Sequence, residues 1–273
     1  MDAIMSGDAE DGLSTSARIE ELRDRVRRSF EEYVEAEQAL GEAEDGSFRV
    51  CIFGSARIKS EDPIYQMVRT LACTLARLGI DVVTGGGPGL MEAANLGEKD
   101  AHAAGVLSIG LPILLPHRRE LANKHLDIKM EHRRFSSRLD EFMRLSHAVI
   151  VAPGGIGTLL ELSYVWQLVQ VELIAPRTIV LLGRDFWGGL LGWMRYQQSR
   201  RGFIRPSDMH IVHSADTEAE VLDFIRPELE RFRAQKREAG LHPTADHADR
   251  ILQHVERLQK ERVRHERLPG TRE

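Results

Sequence analysis

Residues 148–161 read AVIVAPGGIGTLLE. A continuous apolar run over 148–152 passes directly into Pro153, Gly154, Gly155, Ile156 and Gly157, and Thr158 then opens an amphipathic stretch over 158–169. Apolar residues without polar alternation are what a strand covered on both faces requires, and such strands belong to parallel sheets wrapped by helices. The same order recurs upstream, where the apolar run 81–84 leads through Gly85, Gly86, Gly87, Pro88 and Gly89 into a helical pattern over 90–104. Further apolar runs at 49–53, 106–111, 178–182 and, more weakly, 209–213 alternate with helical patterns such as 65–78. With right-handed crossovers, this alternation predicts an α/β fold, a Rossmann-like three-layer sandwich with a parallel sheet.

The alternation fills residues 48–225, which reads as the central domain. Residues 1–47 form a charged N-terminal helical arm in which Ile19, Leu22, Val26, Phe30 and Tyr33 recur at three- and four-residue steps. That spacing puts one apolar stripe on a helix, to lie against the domain or a partner subunit. Residues 226–273 form a C-terminal helical extension. Leu222, Ile225, Leu229 and Phe232 mark one stripe, with Pro227 expected to kink or split its helix. Ile251, Val255, Leu258 and Leu268 mark a second stripe, ended by Pro269 and Gly270.

Composition narrows the function classes. The 273 residues are 42% hydrophobic and carry 37 Lys+Arg against 42 Asp+Glu, a net charge of −5. An acidic chain of this kind argues against a general nucleic-acid surface, and no apolar run approaches the ~18 residues of a membrane span. The opening MDAIMSGDAEDG lacks the basic-then-apolar order of a secretion signal. Cys51 and Cys73 form no CxxC pair and read as reduced packing residues of a cytoplasmic protein. His242, His247, His254 and His265 have no acidic or cysteine partners at ligand spacing, so no metal site is expected.

In an open parallel sheet, ligands bind beyond the carboxyl ends of the strands, where helix N-termini point. Glycines there let the backbone approach a ligand, and the exposed amides of the next helix favour an anion. The two glycine-rich turns suggest a phosphate held by Gly155, Gly157 and Thr158, within a nucleoside monophosphate that spans adjacent strand ends. Tight strand–helix packing is the other explanation of such glycines. Neither turn fits the dinucleotide GxGxxG pattern, and no GK[ST] follows either. Glu161 lies one helical turn past Thr158, where it either borders the same crevice or complements the helix dipole. The basic stretch EHRRFSSR at 131–138 either serves an anionic substrate or forms a solvated helix face.

Three segments, TGGGPGLMEAAN at 84–95, SIGLPILLP at 108–116 and PGGIGTLLE at 153–161, together resemble the LONELY GUY family. Its members are cytokinin riboside 5′-monophosphate phosphoribohydrolases and bacterial nucleotide 5′-monophosphate nucleosidases. The resemblance covers roughly 48–225 and implies a nucleotide-binding catalytic domain that releases a free base and ribose 5-phosphate. It implies that Gly155, Gly157 and Thr158 hold the 5′-phosphate, that Glu161 is catalytic, and that no cofactor is needed. Gly54, Ser55, Gly86, Gly87, Gly89 and Gly154 complete the expected substrate-binding set. The family's essential arginine falls on Arg138, fifteen residues before Pro153, although Leu139 stands where a lysine is expected; Arg133 is the alternative alignment. Leu160 replaces the first of the paired acids of the plant-type enzymes, and residues 117–132, on the base-binding side, match nothing that can be placed. The resemblance also implies a homodimer or higher homo-oligomer with the site close to a subunit boundary. A non-catalytic nucleotide sensor, or a carrier of a phosphorylated cofactor, is the competing class, because one fold hosts many functions.

Overall fold

A computed structural model describes residues 46–114 and 122–266, with side chains to Lys260, together with isolated helical positions between 19 and 34. Strands β1 (Arg49–Phe53), β2 (Asp81–Thr84), β3 (Ser108–Gly110), β4 (Ile128–Lys129), β5 (Ala148–Val151), β6 (Ile179–Leu182) and β7 (Val212–Ala215) form one sheet in the order β4-β3-β2-β1-β5-β6-β7. Every pairing is parallel. The chain winds outward from β1 to β4, then returns to place β5 on the other flank of β1. The order therefore reverses between β1 and β5, and a crevice opens there at the carboxyl ends of the strands.

Two cores explain the unbroken apolar runs. Val50, Ile52, Val82, Ile150 and Val180 face helices α1 (Pro63–Arg77), α2 (Leu90–Asp100), α6 (Glu218–Glu238) and α7 (His242–Glu266). The alternate residues Cys51, Phe53, Val83, Val149 and Leu181 face α3 (Phe135–Leu145), α4 (Ile156–Gln170) and α5 (Arg184–Trp193). Both cysteines are buried and free. Helix α1 begins where the sequence dictates: Asp62 caps it, accepting from the Ile64 amide at 2.9 Å, and Pro63 supplies a ring already set to helical φ.

The structure differs from the sequence expectation in several places. The run 106–111 keeps only Ser108–Gly110 as strand, and the pattern over 90–104 stops as a helix at Asp100. The last strand is displaced from 209–213 to Val212–Ala215, because Pro206 starts a 3-10 turn that takes up Met209 and Ile211, with Asp208 accepting from the Arg205 amide. Helix α6 neither splits nor stops at Pro227: burying Val221, Leu222, Ile225, Leu229 and Phe232 outweighs the roughly 3 kcal/mol an interior proline costs. Strand β4 and helix α5 were not anticipated. Two residues carry no periodicity, and three glycines disguise RDFWGGLLGW. Ile19, Leu22, Val26 and Phe30 of the arm are exposed, while Tyr33 of the arm and Leu268 of the C-terminal stripe lie outside the described residues.

At the amino ends of the strands, the His147 ring stacks on Phe48 (centroids 5.0 Å) and meets the edge of Phe232 (4.7 Å), and its Nδ1 accepts from the Arg49 amide at 3.0 Å. Burial, followed by the nearby charges of Arg49, Arg177 and Lys236, pushes its pKa down to about 3. Both folded and unfolded chains hold a neutral imidazole at pH 7.5. Below about pH 6.5 only the unfolded chain gains the proton, so stability falls by up to ~1.4 kcal/mol per pH unit. In urea unfolding, His147 should therefore account for a loss of roughly 2 kcal/mol between pH 7.5 and 5, and His147→Gln should reduce the slope by that share.

Candidate active site

Three strand ends meet at the crevice. After β1, the Ser55 amide donates to Pro153 O at 3.1 Å, and Ser55 O accepts from the Leu90 amide at 2.9 Å. This one residue ties the first glycine turn to the second. The closeness has a steric signature, since a Cβ on Gly89 would stand 2.4 Å from Ser55 O, and one on Gly54 would stand 2.9 Å from the Leu90 side chain. Packing of the turns against each other is enough to require both glycines.

The two glycine turns, alike in sequence, differ in what their amides do. At the first, the Gly86 amide donates to Thr84 Oγ1 (2.9 Å), the Leu90 amide is taken by Ser55, and Glu92 sits in the first turn of α2. Two amides of this turn are thus engaged, and the helix start carries a negative charge. At the second, Gly155 caps α4 without a side-chain hydrogen bond, and no acid lies in its first turn. Among the described residues, no group accepts from the amides of Ile156, Gly157 or Thr158. These are the orphan donors of a helix N-terminus, where the helix dipole favours an anion. A Cβ on Gly155 or Gly157 would meet nothing within 4 Å, and neither residue has positive φ. Neither packing nor backbone strain accounts for them. Gly154 is different, because a Cβ there would collide with the side chain of the buried Thr158.

Opposite this open turn stands Arg138, on the first turns of α3. Its Nε donates to Leu111 O at 2.7 Å, one Nη lies 3.4 Å from Gly85 O, and the guanidinium sits over the Phe142 ring at 5.2 Å. The other Nη is 3.9 Å from Glu161 Oε1, and the two side chains are only 10% and 14% exposed. The structure thus brings Arg138 and Glu161 together one helical turn beyond the open amides. Arg133 lies exposed just ahead of α3. His132, buried beside this group with Nδ1 3.3 Å from Ser137 Oγ, is pushed below the usual imidazole pKa, chiefly by burial, with Arg138 adding to the effect. Sequence reasoning missed the carbonyls that seat Arg138, and with them Asn123, whose contacts are described below. Among the described residues, no cluster of His, Cys, Asp or Glu is arranged to hold a metal ion, and no helix is long and apolar enough to cross a membrane.

Residues 91–225 match the family described as Possible lysine decarboxylase. Over 181 residues the chain is 35% identical to a probable cytokinin riboside 5′-monophosphate phosphoribohydrolase of Oryza sativa subsp. japonica, a match covering 64% of this chain and 70% of that protein. The chain belongs to the LONELY GUY family. It is also 28% identical over 211 residues to a cytokinin riboside 5′-monophosphate phosphoribohydrolase of Arabidopsis thaliana, covering 72% of this chain and 95% of that one. Among solved structures, a Moco carrier protein from Chlamydomonas reinhardtii superposes with a TM-score of 0.47 at 22% identity, over 68% of this chain and 99% of that chain.

Two departures of this LONELY GUY chain from the plant pattern now have a place. Leu139, where the family lysine is expected, is buried, whereas Leu160 on α4 is exposed. The decarboxylase label does not fit the residues present. Pyridoxal chemistry needs a Schiff-base lysine, and neither glycine-rich segment, 84–95 or 153–161, contains one.

Proposed function

We propose that this LONELY GUY protein hydrolyses the N-glycosidic bond of a nucleoside 5′-monophosphate, of the AMP or cytokinin riboside monophosphate type, to a free base and ribose 5-phosphate. The observation that carries this reading is the Arg138–Glu161 pair, part-buried, one helical turn beyond an unsatisfied, acid-free helix N-terminus. The amides after Gly155 and the Thr158 region hold the phosphate monoester, which anchors the substrate by a part remote from the reacting bond. Breaking the glycosidic bond builds positive charge on the sugar. The Glu161 carboxylate, held beside the crevice, stabilises that charge and orients the attacking water. Arg138, fixed by two backbone carbonyls, keeps Glu161 in place and binds ribose hydroxyls. The first glycine turn, with its Gly86 and Leu90 amides engaged and Glu92 nearby, suits uncharged hydroxyls better than a second phosphate.

The family also implies a homodimer or larger homo-oligomer. Ile156, Leu160, Phe186, Trp193 and Tyr196 lie exposed on and beside α4 and α5, an apolar face adjoining the site that a second copy would cover. Incubating the protein with AMP and related monophosphates should release free base and ribose 5-phosphate in equal amounts. A rise in melting temperature with AMP but no product would instead make the protein a nucleotide-binding or carrier module of the same fold.

A further inference from the structure

The stretch 122–127, unplaced by its sequence, brings Asn123 to the back of the first glycine turn. The Asn123 amide donates to Gly86 O at 2.8 Å, and its Nδ2 lies 3.2 Å from Gly86 O, 3.0 Å from Gly87 O and 2.9 Å from Asn95 Oδ1. Asn95 Oδ1 also accepts from Thr84 Oγ1 at 2.8 Å, and Asn95 Nδ2 donates to Ser108 Oγ at 2.8 Å. Thr84, Asn95 and Ser108 are fully buried. Four side chains from β2, α2, β3 and the 122–127 stretch thus converge on one turn.

The turn needs such a latch. Peptide groups flanked by glycines rotate at little steric cost, and in a trans peptide the carbonyl and the amide point opposite ways. Holding Gly86 O against Asn123 therefore aims the Gly87 amide away from Asn123. The Gly85 carbonyl immediately upstream shares its peptide with the Gly86 amide, so the Gly86 donation to Thr84 Oγ1 at 2.9 Å aims Gly85 O the opposite way. Gly85 O and Leu111 O are the two carbonyls that seat Arg138, and the Leu111 amide itself donates to Thr84 O at 2.9 Å. The network ends one residue from the Arg138 seat. An apolar set of the same shape would leave the Gly86 amide and the Gly86 and Gly87 carbonyls without these partners, and the turn free to rotate.

We infer that Asn123 and Asn95 are positioning residues for Arg138, holding the 85–87 turn in the one arrangement that keeps the guanidinium against Glu161. Its kinetic consequence rests on the phosphoribohydrolase reading; its structural consequence does not. The experiment uses the full chain labelled with 15N and follows the Arg138 Nε–H resonance, assigned by its loss in Arg138→Lys. In Asn123→Ala, exchange of that proton with water should accelerate about tenfold or more, because losing the Asn123–Asn95 bond loosens Thr84, whose carbonyl holds the Leu111 amide beside the Arg138 seat. With AMP, kcat/KM should fall about 10- to 100-fold, the scale of an ångström-sized misplacement. Thr84→Val should reproduce both effects and Thr84→Ser should restore both, a rescue that a merely space-filling threonine would not show. Unchanged Nε–H exchange in Asn123→Ala overturns the inference whatever the activity. Should Asn123→Ala not fold, the Thr84→Val and Thr84→Ser pair decides by the same signal. If the parent protein releases no ribose 5-phosphate, the enzymatic reading fails while the exchange measurement still judges the latch.

Discussion

Glu161→Gln should lower ribose 5-phosphate release by about a thousandfold or more, equivalent to roughly 4 kcal/mol of transition-state stabilisation. The substitution is isosteric and removes only the negative charge. If Glu161 merely complemented the α4 dipole, its loss would cost a fraction of a kcal/mol of stability and leave turnover intact. Its position argues otherwise, because the side chain is turned to within 3.9 Å of Arg138 and is 14% exposed rather than pointing into solvent. Arg138 retains its bonds to Leu111 O and Gly85 O in the variant, so the fold and the melting temperature should hold. Ribose 5-phosphate binding, which depends on the amides after Gly155, should be within about twofold of the parent. A charge needed only in the transition state shows this pattern of lost kcat with retained ground-state binding. Full activity in Glu161→Gln would remove the carboxylate from the reaction.

How far the sequence discloses this site depends on the reach of the interactions that build it. The 148–161 unit was readable because its strand, turn and helix are contiguous, and each obeys a local rule: two-sided burial, glycine for close approach, amides at a helix start. The difference between the two glycine turns was not readable. Which amides of the first turn are engaged depends on Ser55 and Thr84, and Ser55 meets Leu90 only after the chain has passed through α1 and β2. Asn123 was illegible for the same reason, since its partners Gly86 and Gly87 lie 37 and 36 residues away. Arg138 came from counting back to Pro153 by family resemblance, and its seat on two carbonyls leaves no trace in its neighbours. The position of the last strand has a local signal: Pro206 followed by Asp208 opens a turn that consumes the apolar residues just beyond it. The exposed stripe of Ile19, Leu22, Val26 and Phe30 shows the limit of periodicity, which identifies an apolar face without saying what covers it.

Gly157→Ala should separate stability from activity in opposite directions. Gly157 lies within the first turn of α4 with ordinary φ, and an added Cβ would meet nothing within 4 Å. Replacing a helical glycine by alanine where the backbone allows it stabilises by about 0.5–1 kcal/mol, mostly by restricting the unfolded chain. The melting temperature should rise by roughly 2–4 °C for each kcal/mol gained in a chain of this size. Natural selection for stability alone would favour alanine here, and glycine persists at a cost. The cost is explained if a phosphate oxygen occupies the space that the methyl group would take. The variant should then show KM for AMP raised about a hundredfold and ribose 5-phosphate binding weakened in parallel, with Glu161 and Arg138 undisturbed. The neighbouring Gly155→Ala, equally open in space, should behave alike in binding, although as the capping residue it lies outside the helix and gains less stability. Gly54→Ala provides the contrast, since its Cβ would strike Leu90 and cost stability first. A more stable Gly157→Ala protein with unaltered KM would place the phosphate elsewhere and remove the physical basis for reading the second turn as an anion site.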